Sequence, residues 1–250
     1  MNALKQTSIL LGRSMRHILR SPDTIITVAV VPIIMMLLFV YVLGGAIKTG
    51  TDNYVNYLLP GILLIAIASG ISYTAFRIFS DMQKGILNRF NSMPINRSAI
   101  LWGHVLTSVI SNAISVAIIF LVALLMGFRS SAGIMEWLGV AGILLLFTFA
   151  LTWLAVIPGL KAKTIDGASA FSYPLIFLPF ISSAFVPTDT MPSLVRVFAE
   201  NQPVTSIIDA IRALLNSGSV GSELWIALSW CVTIAVVAYF FAIRTYKRLV

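Results

Sequence analysis

The sequence is poor in charge. Asp, Glu, Lys and Arg make up 10% of its 250 residues, against about 25% in an average soluble domain. A soluble fold of this length needs a charged surface, and too few residues are present to build one. Cysteine is nearly absent: Cys231 stands alone, so no internal disulfide can form. Without a CxxC pair or a Cys/His cluster, no structural zinc site is expected either. The long apolar runs carry no acidic or basic residue near their middles. Ion-coupled carriers usually keep such groups inside the membrane, and intramembrane proteases need a Ser/His or Asp/Asp pair, so both classes lose support. No GxxxxGK[ST] loop occurs; residues 44–50, GGAIKTG, hold the right types in the wrong spacing. If ATP drives this protein, another chain must bind it. No internal repeat, inverted or direct, is visible.

What is abundant is apolar: 58% of residues are hydrophobic and the mean hydropathy is +0.95. The surplus must face lipid rather than water. The reading is an all-α integral membrane protein forming one permease domain over residues 1–250, with six spans: 24–43, 57–76, 99–126, 138–160, 168–187 and 224–243. The first, TIITVAVVPIIMMLLFVYVL, has 20 residues and no charge, enough to cross a hydrocarbon core of about 30 Å.

The basic residues orient the chain. One side receives Lys5, Arg13, Arg16 and Arg20, then Arg77, Lys84, Arg89 and Arg97, then Lys161 and Lys163, and finally Arg244, Lys247 and Arg248. The other receives Lys48, Arg129, Arg196 and Arg212. A split of 13 to four puts both termini in the cytoplasm by the positive-inside rule. The expected location is the cell membrane, multi-pass. The net charge of +8 is read as a topology signal and not as a nucleic-acid surface.

Residues 1–23 form an amphipathic stretch. Leu4, Leu11 and Met15, with Ile18 and Leu19, share one helical face, and Lys5, Arg13, Arg16 and Arg20 share the opposite one. Such a helix lies along the inner leaflet. His17 and His104 read as interfacial residues. In the third span Thr107, Ser111 and Ser115 recur at i, i+4 and i+8, with Ser108 and Asn112 beside them, a face suited to close helix packing. Pro174 and Pro179, with Ser172, Ser182 and Ser183, suggest a kinked fifth span. The 15 Phe, 7 Tyr and 5 Trp are scattered along the chain.

Two connections are long enough to hold structure. In the cytoplasmic connection, 77–98, Leu87, Phe90 and Met93 recur as an apolar ridge with no lipid to cover it, to be buried by a protein partner or else by the chain's own N-terminal helix. Lys84 and Arg89 add charge, Gly85 can relax the backbone, and Pro94 can end a short helix. The outer connection, 188–223, reads as two short re-entrant helices. In the second, Ile207, Ile208, Ile211, Leu214 and Leu215 form a stripe, while Asp209 and Arg212 pair at i, i+3 on the other side. Pro203 suits the first turn and Gly218 a stop.

Three segments resemble the ABC-2 type transporter permeases, the membrane subunits of type-2 ABC exporters. FSDMQKGILNRFNSMPINRSAILWGHVL resembles the family's cytoplasmic stretch at Gly85, Leu87, Met93, Pro94 and Arg97. FAENQPVTSIIDAIRALL is similar to a second family pattern at Pro203, Thr205, Asp209 and Arg212, and YLLPGIL to the opening of the family's second span. Asp81 and Lys84 stand where the family often has acidic residues. The wording is closest to the daunorubicin-resistance-type, drug-export branch. The resemblance implies a non-enzymatic half-transporter, with a second permease copy or a homologue beside it. It implies a cytoplasmic ATP-binding subunit that carries ATP-Mg, this chain holding no cofactor or metal. The amphipathic helix and the 77–98 connection would dock on that subunit. An amphiphilic small molecule such as an antibiotic is the expected substrate. A polysaccharide or lipid-linked glycan exporter is the nearest alternative, and a stand-alone channel the next.

Overall fold

The structure, a computed structural model, describes residues 12, 23–45, 47, 53–86, 97–216 and 221–249. Among them every regular element is helical and no strand occurs. α1 is Asp23–Leu38, continued by a π-helical turn, Phe39–Leu43. Three long helices follow: α2, Tyr54–Gln83; α3, Arg97–Leu125; and α4, Ile134–Lys161. Two short pieces, α5 (Ile165–Ser169) and α6 (Ser172–Phe177), lead into a 3-10 turn, Leu178–Ile181. Then come α7, Ser193–Asn201, α8, Pro203–Leu215, and the long α9, Ser222–Leu249.

Four helices, α2, α3, α4 and α9, are long and apolar enough to cross a membrane. Shorter apolar helices lie within Val28–Leu43 and Ile165–Ile181. The chain is a multi-pass membrane protein. At about 1.5 Å per residue, α2 spans about 45 Å, more than a hydrocarbon core of about 30 Å. It therefore continues past the expected boundary at Phe76, and Arg77 and Asp81 belong to its last turns.

α2 is the axis of the fold: 20 of its 30 residues are buried, packed by α1, α3, α4, α5, α6 and α8. Only 28% of the most apolar stretch of α3, and the same share in α9, is covered. Val236, Val237, Phe240 and Phe241 on α9, and Val31, Ile34, Leu38 and Val42 on α1 with its π turn, are exposed. Continuous apolar faces of this kind are stable against lipid and not against water. α4 and α9 pack along each other through Trp153, Val156, Leu160, Ala238, Ala242 and Tyr246.

The fifth apolar run departs from expectation. A single kinked helix over 168–187 was expected, and the chain instead breaks at Ala170–Phe171 and leaves helix altogether after Ile181. Pro174 has no N–H to give the Ala170 carbonyl, which accepts from the Tyr173 N–H at 3.2 Å. Pro179 enters the 3-10 turn at its first positions, where a missing N–H costs least. Carbonyls of that turn find side-chain donors. Ser182 Oγ donates to Pro179 O at 2.6 Å, and Gln202 Nε2 to Ile181 O. Irregular backbone inside a membrane protein is stable only when its polar groups are met by protein or water.

The aromatics are also not scattered in space. Trp153 meets Tyr239 with ring centroids 4.7 Å apart and Trp102 at 5.3 Å, both edge-on. A second group joins Phe120, Phe128 and Trp137, and a third joins Phe39, Phe180 and Phe185.

Candidate functional site

α8 crosses one end of the bundle, against α2, α4 and α9. Gln202 is extended and Pro203 opens the helix at a position where no N–H is needed. The stripe Ile207, Ile208, Ile211, Leu214 and Leu215 is buried throughout. Thr205 Oγ1 donates back to Ala199 O, closing the corner with α7.

Asp209 and Arg212 are joined at 2.7 Å, with 15% of the Arg212 side chain exposed. The pair does not stand alone on a polar face. Arg212 Nη2 donates to the Ser183 carbonyl at 2.7 Å and to the Tyr57 carbonyl at 3.2 Å, and its guanidinium lies 3.9 Å from the Tyr57 ring centroid. Ser183 Oγ donates to Asp209 Oδ1 at 2.7 Å. Tyr54 OH donates to Phe185 O at 3.1 Å. The irregular turn after Ile181 is thus held from α2 on one side and α8 on the other. Burial pushes the Arg212 pKa down, opposed by Tyr57 and Asp209. The turn comes so close to α2 that a Cβ on Gly61 would overlap the Ala184 methyl. On the same end, Asn53 Nδ2 donates to Gly127 O at 2.8 Å, and Asn56 both donates to and accepts from the Arg129 backbone. Ser130 Oγ ties this turn to Leu215 O at 2.6 Å.

A second polar cluster lies between α2 and α3. Thr74 and Ser108 hydroxyls are hydrogen-bonded, and Asn112 packs where a Cβ on Gly70 would overlap its amide. Thr107, Ser111 and Ser115 each donate to the carbonyl four residues back, which satisfies hydroxyls without a partner helix. Among the described residues Asn112 Oδ1 and Arg77 Nε are buried with no hydrogen-bond partner. They line a space of about 10 Å³ with Val28, Gly70, Tyr73, Ser111 and Ser115, roughly the room one water needs. Toward the end of α2, His104 Nε2 stands 3.4 Å from Asp81.

The connection that leaves α2 begins here. Lys84 caps the helix, and Gly85 turns it at φ +66°, a conformation other residues rarely hold. Leu87, Arg89, Phe90, Met93 and Pro94 lie outside the described residues, as do the side chain of Arg97 and Leu4, Leu11, Arg13, Met15, Arg16, His17, Arg20 and Gly218. The structure brings Asp209 and Arg212 together and sets Pro203 and Thr205 at the start of the same helix. It adds Tyr57 and Ser183, which the sequence did not mark as their partners, and Gly61, which meets Ala184 of the same turn. Tyr57 lies 155 residues from Arg212, and no local pattern links them. Gly70 and Thr74, spaced i, i+4 on α2, carry the small-residue signal that could have been matched to Ser108 and Asn112.

A helix laid across one end of the bundle, tied down by a part-buried polar cluster, and long helices with exposed apolar faces describe a multi-pass membrane protein. Residues 5–216 match the family model for the ABC-2 type transporter, and the chain belongs to that family. It is 30% identical to the daunorubicin resistance ABC transporter permease protein DrrB1 of Streptomyces coeruleorubidus, over 98% of this chain and 87% of that protein. It is 26% identical to a probable doxorubicin resistance ABC transporter permease protein, DrrC, of Mycobacterium tuberculosis (strain ATCC 25618 / H37Rv), covering 94% and 84%. A putative transport permease, ycf38, of Cyanophora paradoxa matches at 26%, covering 86% and 76%.

Proposed function

We propose that this chain is the membrane-spanning half of an ATP-driven exporter that moves an amphiphilic small molecule outward. The observation that carries the reading is similarity along 98% of the chain to a permease named for daunorubicin resistance. ATP-Mg is bound and hydrolysed by a separate ABC subunit, and a second permease copy or a homologue completes the pathway. Six spans cross the cell membrane, the shorter apolar helices within Val28–Leu43 and Ile165–Ile181 serving as the first and fifth. Both termini and the 77–98 connection face the cytoplasm, and α7 and α8 face outward. The 13-to-four split of basic residues supports that orientation. The connection after Gly85 receives the motion of the ATP-binding subunit, and the α8 lock holds the outer mouth.

The test is reconstitution of the chain with its ATP-binding subunit in inside-out vesicles. ATP should drive daunorubicin or doxorubicin into the lumen only when both chains are present. Drug movement driven by ATP without the partner would overturn the division of labour. Stimulation of ATP hydrolysis by a lipid-linked glycan but by no drug would overturn the substrate class. A single cysteine at Leu194 should react with an impermeant reagent on intact cells, and one at Lys163 only after the membrane is opened.

A further inference from the structure

At the end of the bundle opposite α8, the last turn of α4 and the last two turns of α9 enclose a cleft of about 400 Å³ lined by Lys161, Phe241, Arg244, Thr245 and Arg248. Phe241, Arg244, Thr245 and Arg248 fall on successive turns of one α9 face. The packing beneath is closed: Leu160, Ala242 and Tyr246 are each 2% exposed or less. That contact sets the distance between Lys161 and the two arginines, so the cleft is a fixed feature of the α4–α9 pair and not a chance meeting of long side chains. Among the described residues no carboxylate lies within 4.0 Å of Lys161, Arg244 or Arg248. Among the described residues the three cations therefore converge without a counter-charge. On the membrane side, exposed Phe241, Phe240 and Val237 continue the wall. One site thus offers cations at the membrane–water boundary and an apolar surface running into the bilayer.

We propose that this cleft seats the phosphate headgroup of an anionic phospholipid, with its acyl chains along the exposed α9 face. Paired arginine forks suit a phosphodiester, and lysine adds a point charge. Basic pockets between spans at the cytoplasmic boundary are a general setting for such headgroups. The inference is independent of what the protein transports and of the partner chain. The competing account is that the cations only offset the two helix C-termini and orient the chain, in which case no lipid is held.

The experiment uses the purified full chain in a neutral detergent. It reads thermal unfolding on adding phosphatidylglycerol, phosphatidylcholine or inorganic phosphate, and lipid retention by native mass spectrometry. Phosphatidylglycerol should stabilise the chain and remain bound, and phosphatidylcholine should do neither. Arg244→Gln and Arg248→Gln should each weaken retention about fivefold, equivalent to about 1 kcal/mol per cation near the surface. Lys247→Gln removes the same charge from an exposed position that does not line the cleft and should leave retention unchanged. All three positions are exposed, so the variants keep the helical content and basal unfolding temperature of the parent. Equal losses in all three variants would reduce the effect to diffuse surface charge and overturn the site. The same shift from inorganic phosphate would overturn lipid as the occupant, and no shift with any ligand would overturn binding altogether.

Discussion

Arg212 lies with its guanidinium 3.9 Å from the centre of the Tyr57 ring and donates to the Tyr57 carbonyl from the same group. One side chain thereby fastens α8 to the start of α2, and through Ser183 it also holds the irregular turn between them. A cation spread over a ring face, a carboxylate and two carbonyls is satisfied in most of its donor directions. The arrangement depends on the fork and the plane of arginine.

Arg212→Ala should cost about 3–5 kcal/mol, because it leaves Asp209 without its cation in a part-buried setting. Arg212→Lys should lose most of the same interaction, since an ammonium cannot reach both carbonyls and stack on the ring. Arg212→Ala combined with Asp209→Ala should recover part of the loss. Thermal unfolding in detergent reads all three, and a double variant no more stable than Arg212→Ala would show that the pair is not the source of the cost.

Gly70→Ala should destabilise the chain by about 1–3 kcal/mol through overpacking against Asn112. Shortening the neighbour relieves it: Gly70→Ala with Asn112→Ala should unfold at a higher temperature than Gly70→Ala alone. Equal unfolding temperatures would mean that α2 and α3 do not approach at this point.

Trp153 is fully buried among Trp102, Phe149 and Tyr239, whereas Trp225 is 71% exposed. Lipid is as apolar as the protein interior, so burial of Trp153 gains little by transfer and much by packing. Trp153→Ala should then cost about 3 kcal/mol, the lower end for a large-to-small change in a core. Trp225→Ala should stay within about 0.5 kcal/mol. Similar losses at the two positions, measured by chemical unfolding, would contradict the packing of α4 on α9.

The proposed coupling role of the 77–98 connection is tested at Leu87 and Phe90. Changing both to Asp places two charges on the apolar ridge and should remove several kcal/mol of partner burial, at about 1.5–3 kcal/mol per side chain. The ATP-binding subunit should no longer co-purify, or should hydrolyse ATP without transport, while the permease stays inserted. Unaltered complex and unaltered transport would remove the connection from the coupling path.

The helices that cross lipid were legible because lipid imposes a simple demand on sequence: a long apolar run with its charges at the ends. α3 and α4 begin and end within a few residues of the runs 99–126 and 138–160. The ends beyond the unbroken apolar runs were less legible, as the seven residues of α2 after Phe76 show. There polar residues continue a helix, and apolar content no longer marks the limit. The fifth run misled as to continuity, because its apolar residues are as rich as those of an unbroken helical span. Its two prolines remove the N–H groups that a continuous helix would aim at the Ala170 and Leu175 carbonyls, and farther on the carbonyls of Ile181, Ser183 and Phe185 are met by side chains of Gln202, Arg212 and Tyr54.

By itself the sequence determined the membrane class, the positions of the long helices, the two short helices within residues 188–223 and the i, i+3 spacing of Asp209 and Arg212. These follow from local chemistry, namely apolar length, proline and glycine placement, and helical period. Tertiary structure alone decided that Arg212 turns inward onto Tyr57, that Gly61 and Gly70 are contact points, that the aromatics gather into clusters, and that Lys161 meets Arg244 and Arg248 across a cleft. Each of those joins residues far apart in the chain, and only the packing of whole helices sets which side chains share a few ångströms of space.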